Sequence, residues 1–177
     1  MEAKIFLHST AILVAAVACV TDLRSRRISN RLILIGLMSG MFFNLVFSGW
    51  SGLGWSLLGA ALGLAIFLPF FALGGLGGGD VKLLSCLGAI LGPKDLLAVA
   101  LVGAVIGGAM ALVVALARGR FLATVRGVGE LLSFWVMGGL KPSPVLCLDN
   151  PGTLKIPYAV PVAAGTCLVL LSRWSWS

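Results

Sequence analysis

Asp22 and Asp80 are the two residues of this sequence whose type and setting best suit them for catalysis. The chain has 177 residues but only six acidic ones, and these two adjoin apolar stretches long enough to enter a membrane. An ionisable side chain in such a place is a candidate for function. Two carboxyl groups that lie close together do not both ionise easily, so one keeps its proton while the other accepts one. Such a pair can hold one water molecule and polarise a peptide carbonyl, which predicts peptide hydrolysis.

The sequence around Asp80 predicts a carboxylate inside the membrane boundary. Five of the six residues from Gly74 to Gly79 are glycine, which leaves a backbone able to adopt positive φ or to admit another chain. The helix expected from Asp80 to Pro93 has 14 residues. It is about 21 Å long, which is shorter than the roughly 30 Å of a bilayer's hydrocarbon core. The alternative for Asp80 alone is a helix N-cap.

Asp22 lies where the first apolar helix is expected to end. The alternative for Asp22 alone is an exposed charge paired with nearby arginines. The C-terminus of a helix favours a protonated carboxyl group, whereas the N-terminus favours the anion. Asp22 is therefore expected to be the acid of the pair and Asp80 the base, provided that Asp22 does not lie inside a continuing helix.

The composition predicts an all-α, polytopic membrane protein. Apolar residues make up 59% of the chain and charged residues 11%, with a mean hydropathy of +1.09, whereas soluble domains carry about 25% charge. From Leu32 to Gly79 no residue is charged, and this run is too long for one crossing of about 20 residues. The turn-forming residues from Ser48 to Gly52 divide it. We expect about six transmembrane helices, at roughly residues 5–20, 32–47, 53–73, 80–93, 96–117 and 158–171.

The lysines and arginines predict how the chain crosses the membrane. Residues 1–177 are expected to form one membrane-embedded domain with a long cytoplasmic loop at about 118–156. With six crossings, ten of the 13 lysines and arginines fall on one side, and Lys4, Lys94 and Arg173 fall on the other. The side richer in lysine and arginine is normally cytoplasmic, so both termini are expected to be external. The basic residues show no pattern typical of a nucleic-acid-binding surface, so no nucleic-acid partner is expected.

Two local patterns predict how the helices pack and begin. Asp95 follows Pro93 and Lys94 in a predicted turn and is expected to cap the fifth helix. Glycines four residues apart let helix backbones approach closely in lipid. The pairs at this spacing are Gly36/Gly40, Gly59/Gly63, Gly88/Gly92 and Gly103/Gly107.

Three segments of the chain resemble motifs of the type IV prepilin peptidases. Residues 77–84 (GGGDVKLL) are similar to the Gly-x-Gly-Asp signature of that family. Residues 22–30 (DLRSRRISN) resemble its first aspartate motif, with Ser29 at a position where proline is frequent. Residues 156–161 (IPYAVP) resemble the start of its last helix. In order and spacing, the resemblance covers nearly the whole chain.

The resemblance implies an intramembrane aspartic endopeptidase with Asp22 and Asp80 as its catalytic pair. Enzymes of this family lie in the bacterial inner membrane and remove a short basic leader from prepilins or pseudopilins at the cytoplasmic face. A prepilin substrate and the lipid bilayer are therefore the implied partners. Larger members also methylate the new N-terminus and carry a cytoplasmic region with paired Cys-x-x-Cys motifs. This chain resembles the compact form without that region, so no zinc, no cofactor and no N-methyltransferase activity are expected.

The residues beside Asp80 are the candidates for substrate binding. Gly77, Gly78, Gly79 and Lys82 are predicted to bind the substrate, since a glycine backbone lets an extended peptide lie alongside it. For Lys82 the alternatives are a contact that holds Asp80 in place and a contact with lipid headgroups.

Two other classes of function remain open from the sequence. A transporter is expected to carry charged residues at the membrane midplane together with a broken helix, whereas here Asp22 and Asp80 both lie toward one face. A non-enzymatic subunit of a pilus or secretion assembly would need no paired acids.

Overall fold

The computed structural model describes residues 2–72, 76–119, 121, 126, 129 and 157–174. This part of the chain is helical and contains no strands, as the composition predicts. The helices are α1 (Glu2–Ser25), α2 (Asn30–Ala72), α3 (Gly78–Leu91), α4 (Pro93–Ala117) and α5 (Ala159–Trp174). Helices α1, α2 and α4 are long and apolar enough to cross a membrane, and α5 is a shorter apolar helix.

Helix α2 is a helical hairpin that reverses direction at Gly49. This glycine has φ 62° and ψ −151°, a backbone conformation that residues with a Cβ rarely adopt. It separates two arms, α2a (residues 30–48) and α2b (residues 50–72). Both arms pack on α3, α2a in parallel and α2b in reverse, through the neighbouring pairs Gly36–Cys86, Gly40–Ile90, Gly59–Gly88 and Gly63–Ser85. The described chain therefore has six helical segments, and the predicted turn between Ser48 and Gly52 is confirmed.

Helix α3 lies at the centre of the bundle. Every residue from Val81 to Ile90 is buried except Lys82, which is exposed. Because the other helices surround α3, its 14 residues do not have to reach from one face of the bilayer to the other. Between Val81 and Ile90, α3 is therefore accessible only at Lys82.

Polar side chains of α2 cap the C-terminal carbonyls of α3 inside the bundle. The Asn44 amide nitrogen donates to the carbonyls of Ala89 and Ile90, each at 3.2 Å. The buried Ser56 hydroxyl donates to the carbonyl of Ala89 at 2.6 Å. The last carbonyls of a helix have no partner within it, and an apolar environment offers no water to replace one. These side chains therefore allow α3 to end inside the bundle.

Glycines make the close helix contacts that their spacing predicts. A methyl group at Gly59 would collide with the carbonyl of Gly88, and one at Gly63 would lie 2.8 Å from the Cα atom of Ser85. Gly103 and Gly107 face the first turn of α5. The predicted contacts between helices are confirmed at these positions.

Asp95 does not cap α4, so that prediction was wrong. The N-cap is Gly92, which has φ 79°, and Pro93 begins the helix. The Asp95 carboxylate instead forms an ion pair with the guanidinium of Arg173, at 2.7 Å. This pair joins the first turn of α4 to the last turn of α5, at the end of the bundle away from Asp22 and Asp80.

The predicted bounds of the first helix can be compared with the structure, whereas most of the predicted long loop cannot. Helix α1 begins three residues earlier and ends five residues later than the predicted span of 5–20. The loop expected at about 118–156 lies almost entirely outside the described residues.

Candidate active site

A pocket of about 370 Å³ lies where α1 ends and where α2 and α3 begin. Asp22 and Asp80 both line it, although 57 residues separate them in the sequence. The remaining lining residues come from the α1–α2 connection and from the start of α3, namely Arg26, Arg27, Ile28, Asn30, Gly77, Gly78, Gly79 and Lys82. The pocket thus combines the segments that carry the two aspartate motifs.

Asp22 is half-buried and lies in the last turn of α1. Its backbone carbonyl accepts a hydrogen bond of 2.7 Å from the N–H of Arg26. Arg26 has φ 50°, the left-handed conformation in which helices commonly end. Asp22 is therefore inside the helix, but within the final turn, where the helix dipole still acts.

Asp80 is half-buried and occupies the third position of α3, after the N-cap Gly77. The Asp80 carboxylate reaches back toward the backbone N–H of Gly77. An acidic side chain that reaches back to the N-cap in this way stabilises the start of a helix. The capping alternative and the catalytic one are therefore compatible, because the same carboxylate also lines the pocket.

The two carboxyl groups interact with each other electrostatically. Among the described residues, neither forms an ion pair with a lysine or an arginine. Two carboxylates that line one pocket repel each other when both are ionised. Both carboxyl groups therefore line one pocket without a cationic partner among the described residues.

The Lys82 ammonium donates a hydrogen bond of 3.1 Å to the Asn30 side-chain oxygen. It does not form the contact with Asp80 that was one alternative for this residue. The Lys82 side chain is exposed and lines the pocket.

The glycines before Asp80 form one wall of the pocket through their small size. Residues 73–75 lie outside the described part of the chain, but Gly77, Gly78 and Gly79 all line the pocket. None of these three adopts the positive φ that glycine permits. A methyl group at Gly78 would lie 3.2 Å from the Phe71 ring, and one at Gly79 would lie 3.4 Å from Ile28. Because these glycines have no side chains, their backbone is left uncovered in the pocket that the two carboxyl groups line.

Comparison with known proteins identifies the family. Residues 9–112 match the sequence model of the type IV leader peptidase family, which is more than half of the chain. The chain belongs to this family. No curated protein and no solved structure matches it. The protein is therefore a membrane peptidase of the type IV leader peptidase family, and the matched region contains both aspartates and the whole pocket.

The last helix lies outside the region matched to the leader peptidase family. Tyr158, which precedes α5, is nevertheless close enough to Asp80 for the two side chains to interact electrostatically. The segment that resembles the start of the family's last helix thus approaches the pocket in space.

Four pocket residues were not among the predicted site residues, namely Arg26, Arg27, Ile28 and Asn30. Ile28 was detectable as the one apolar residue in the basic segment 24–31, and it packs against Gly79. Asn30 carried no signal of its own, because asparagine is common at the start of helices. Its role depends on a contact with Lys82, 52 residues away, that no local pattern reveals.

Proposed function

We propose that this protein is an intramembrane aspartic endopeptidase that cleaves the basic leader from prepilins or pseudopilins. The observation that carries the proposal is the pair of half-buried aspartates, from different helices, in one pocket of about 370 Å³. Membership of the type IV leader peptidase family supports the same substrate class.

In the proposed reaction, Asp80 is the base and Asp22 the acid. Asp80 lies in the first turn of a helix, where the dipole favours the anion, and Asp22 lies in a last turn, where it favours the protonated form. Asp80 takes a proton from a water molecule whose oxygen bonds to the scissile carbonyl carbon, while Asp22 donates a proton to the carbonyl oxygen. The C–N bond then breaks as one hydroxyl of the tetrahedral intermediate returns a proton to Asp22, and the leaving nitrogen receives the proton that Asp80 accepted.

The pocket walls suggest how a peptide is held during this reaction. Gly77, Gly78 and Gly79 leave backbone uncovered on one side, where an extended peptide can lie. Lys82 lies on the same pocket and is proposed to contact the substrate as well. The apolar stem of the substrate would remain among lipid and helices, since large apolar side chains such as Leu23 and Leu34 are exposed near the pocket.

The proposed site lies at the cytoplasmic face of the inner membrane. The α1–α2 connection is rich in arginine, and such connections normally stay in the cytoplasm. This orientation places the scissile bond at the cytoplasmic interface and both chain termini outside.

The test is cleavage of a prepilin-like peptide by the protein in lipid vesicles. The peptide has a short basic leader that ends in glycine, followed by an apolar stem, and mass spectrometry locates the cleavage. We expect one cut after the glycine, its loss in Asp22→Ala and Asp80→Ala, and its retention in Asp95→Ala, whose carboxylate lies outside the pocket. A correctly inserted wild-type protein that does not cut would contradict the proposal and favour a transporter or an assembly subunit.

A further inference from the structure

The hydrogen bond between Lys82 and Asn30 determines which way the Asn30 amide is turned. A lysine ammonium has three donors and no acceptor, so the atom of Asn30 that faces it is the oxygen Oδ1. The amide nitrogen Nδ2, with its two N–H donors, is consequently turned away from Lys82. No hydrogen bond occupies Nδ2 within the described part of the chain.

The Asn30 side chain is not used to cap its own helix. The carbonyl of Ser29 accepts the first hydrogen bond of α2, from the N–H of Ile33, at 3.2 Å. Asn30 is thus the first helical residue after the cap. Its exposed side chain lines the pocket and bonds across to α3.

The pocket is lined by two chemically different kinds of group. Asp22 and Asp80 offer carboxylate oxygens, whereas Asn30, Lys82 and the two arginines of the α1–α2 connection offer N–H donors. A peptide group presents one acceptor, its carbonyl oxygen, and one donor, its N–H. A backbone carbonyl of the substrate therefore has a neutral, fixed donor available in Nδ2 of Asn30.

We propose that Asn30 binds the substrate by donating Nδ2–H to a backbone carbonyl oxygen, and that Lys82 is a positioning residue that holds the Asn30 amide in this orientation. The inference rests on the proposed peptidase function and adds to it a substrate contact. Lys82 also has donors left for a contact of its own, since Asn30 occupies one of three.

The decisive variant is Asn30→Asp, which has nearly the same shape and keeps an acceptor for Lys82 but has no donor. We expect kcat/KM for the prepilin-like peptide to fall about tenfold, the effect typical of one lost hydrogen bond to substrate. Arg31→Gln is the matched control, because it removes one positive charge at the adjacent position and Arg31 does not line the pocket. Asn30→Leu provides a neutral variant without donors and should lose at least as much.

The pH profile separates a lost donor from an added charge. A lost donor lowers the maximum of the profile of Asn30→Asp, whereas an added charge only shifts the profile along the pH axis. A shifted profile with the wild-type maximum would overturn the proposal, as would a loss no larger than that of Arg31→Gln. Denaturant unfolding of each variant shows whether it is folded.

Lys82 is tested by rescue and by combination with Asn30→Asp. Lys82→Arg keeps a donor-only cation, so it should retain much more activity than Lys82→Met. If Lys82 acts through Asn30, Lys82→Met should lose less activity in the Asn30→Asp background than in the wild type, and any loss that remains is that of its own contact with the substrate. Full additivity would overturn the positioning role.

If the wild type cleaves but Asn30→Asp cleaves equally well, only this inference fails, whereas a wild type that does not cleave defeats the proposed function itself.

Discussion

At the scale of residues, the proposed chemistry depends on how two carboxyl groups are placed. Asp22 and Asp80 come from opposite ends of their helices and meet without a neutralising cation among the described residues. Each helix end contributes a partial charge that favours a different protonation state. The sequence predicts this assignment on the condition that Asp22 lies at the end of its helix. In the structure α1 continues three residues further, to Ser25, so Asp22 lies inside the helix, in its last turn.

A bell-shaped pH profile of kcat/KM is the prediction at this scale. Below the lower apparent pKa of the pair both carboxyl groups are protonated and no base is available. Above the upper one both are ionised and no acid is available. Initial rates on the prepilin-like peptide across pH 3 to 10, about the range covered by carboxyl and amine pKa values, check this. A rate that rises steadily with pH and has no upper limb would contradict a shared proton.

At the scale of elements, the site exists because α2 and α3 pack closely enough to fix the start of α3. Glycines at four-residue spacing in both arms of α2 allow this contact, and polar side chains of α2 satisfy the other end of α3. A change at the helix contacts should therefore act on stability before it acts on chemistry.

Gly59→Ala should lower the free energy of unfolding by about 1–3 kcal/mol, because the added methyl group collides with the backbone of α3. Gly54→Ala is the matched control in the same arm, since a methyl group there meets nothing within 4 Å. It should be neutral or stabilising by up to about 1 kcal/mol, the gain of alanine over glycine in a helix. Unfolding of both variants in a detergent titration measures the difference, and equal effects would contradict the packing role.

Ser56→Ala should cost about 1 kcal/mol, because it leaves the carbonyl of Ala89 with one partner fewer inside the bundle. Ser51→Ala is the comparison, since Ser51 is exposed and its hydroxyl bonds to the carbonyl of Ser48, across the reversal at Gly49, and not to α3. The same titration applies. A larger loss in Ser51→Ala than in Ser56→Ala would show that capping of α3 is unimportant.

The elements were predictable where a local signal existed. The turn chemistry of Ser48 to Gly52 placed the reversal of α2, and Gly49 supplies it. The end of α1 was predicted too early, because Arg26 ends the helix in a left-handed conformation that is usual for glycine or asparagine. The cap at Asp95 failed because Arg173 attracts its carboxylate from another helix. Contacts between residues far apart in the chain cannot be predicted from a short stretch of sequence.

At the scale of the whole molecule, the two ends of the bundle carry different charged groups. One end holds the pocket with its three cationic side chains, and the other holds the ion pair between Asp95 and Arg173. The sequence predicted the grouping of Asp22 with Asp80 at one end, because six crossings put both on the same side. It did not predict that Lys82 bonds to Asn30, since that contact depends on how α2 and α3 are rotated.

Cysteine labelling in intact cells tests the proposed orientation. In a background with the four native cysteines replaced, Lys94→Cys should react with a membrane-impermeant maleimide, because the start of α4 is proposed to be external. Ser29→Cys should react only after the membrane is permeabilised, because the α1–α2 connection is proposed to be cytoplasmic. Both positions are exposed on the protein. The reverse pattern would contradict the orientation.

The most direct test of the central claim is whether Asp22 and Asp80 act as one unit. Cleavage rates of Asp22→Asn, Asp80→Asn and the double variant are compared in lipid vesicles, with folding checked by unfolding in detergent. We expect each single variant to lose nearly as much activity as the double variant, at least about a thousandfold, since neither carboxyl group works without the other. A single variant that keeps activity within tenfold of the wild type, or losses that simply multiply, would contradict it.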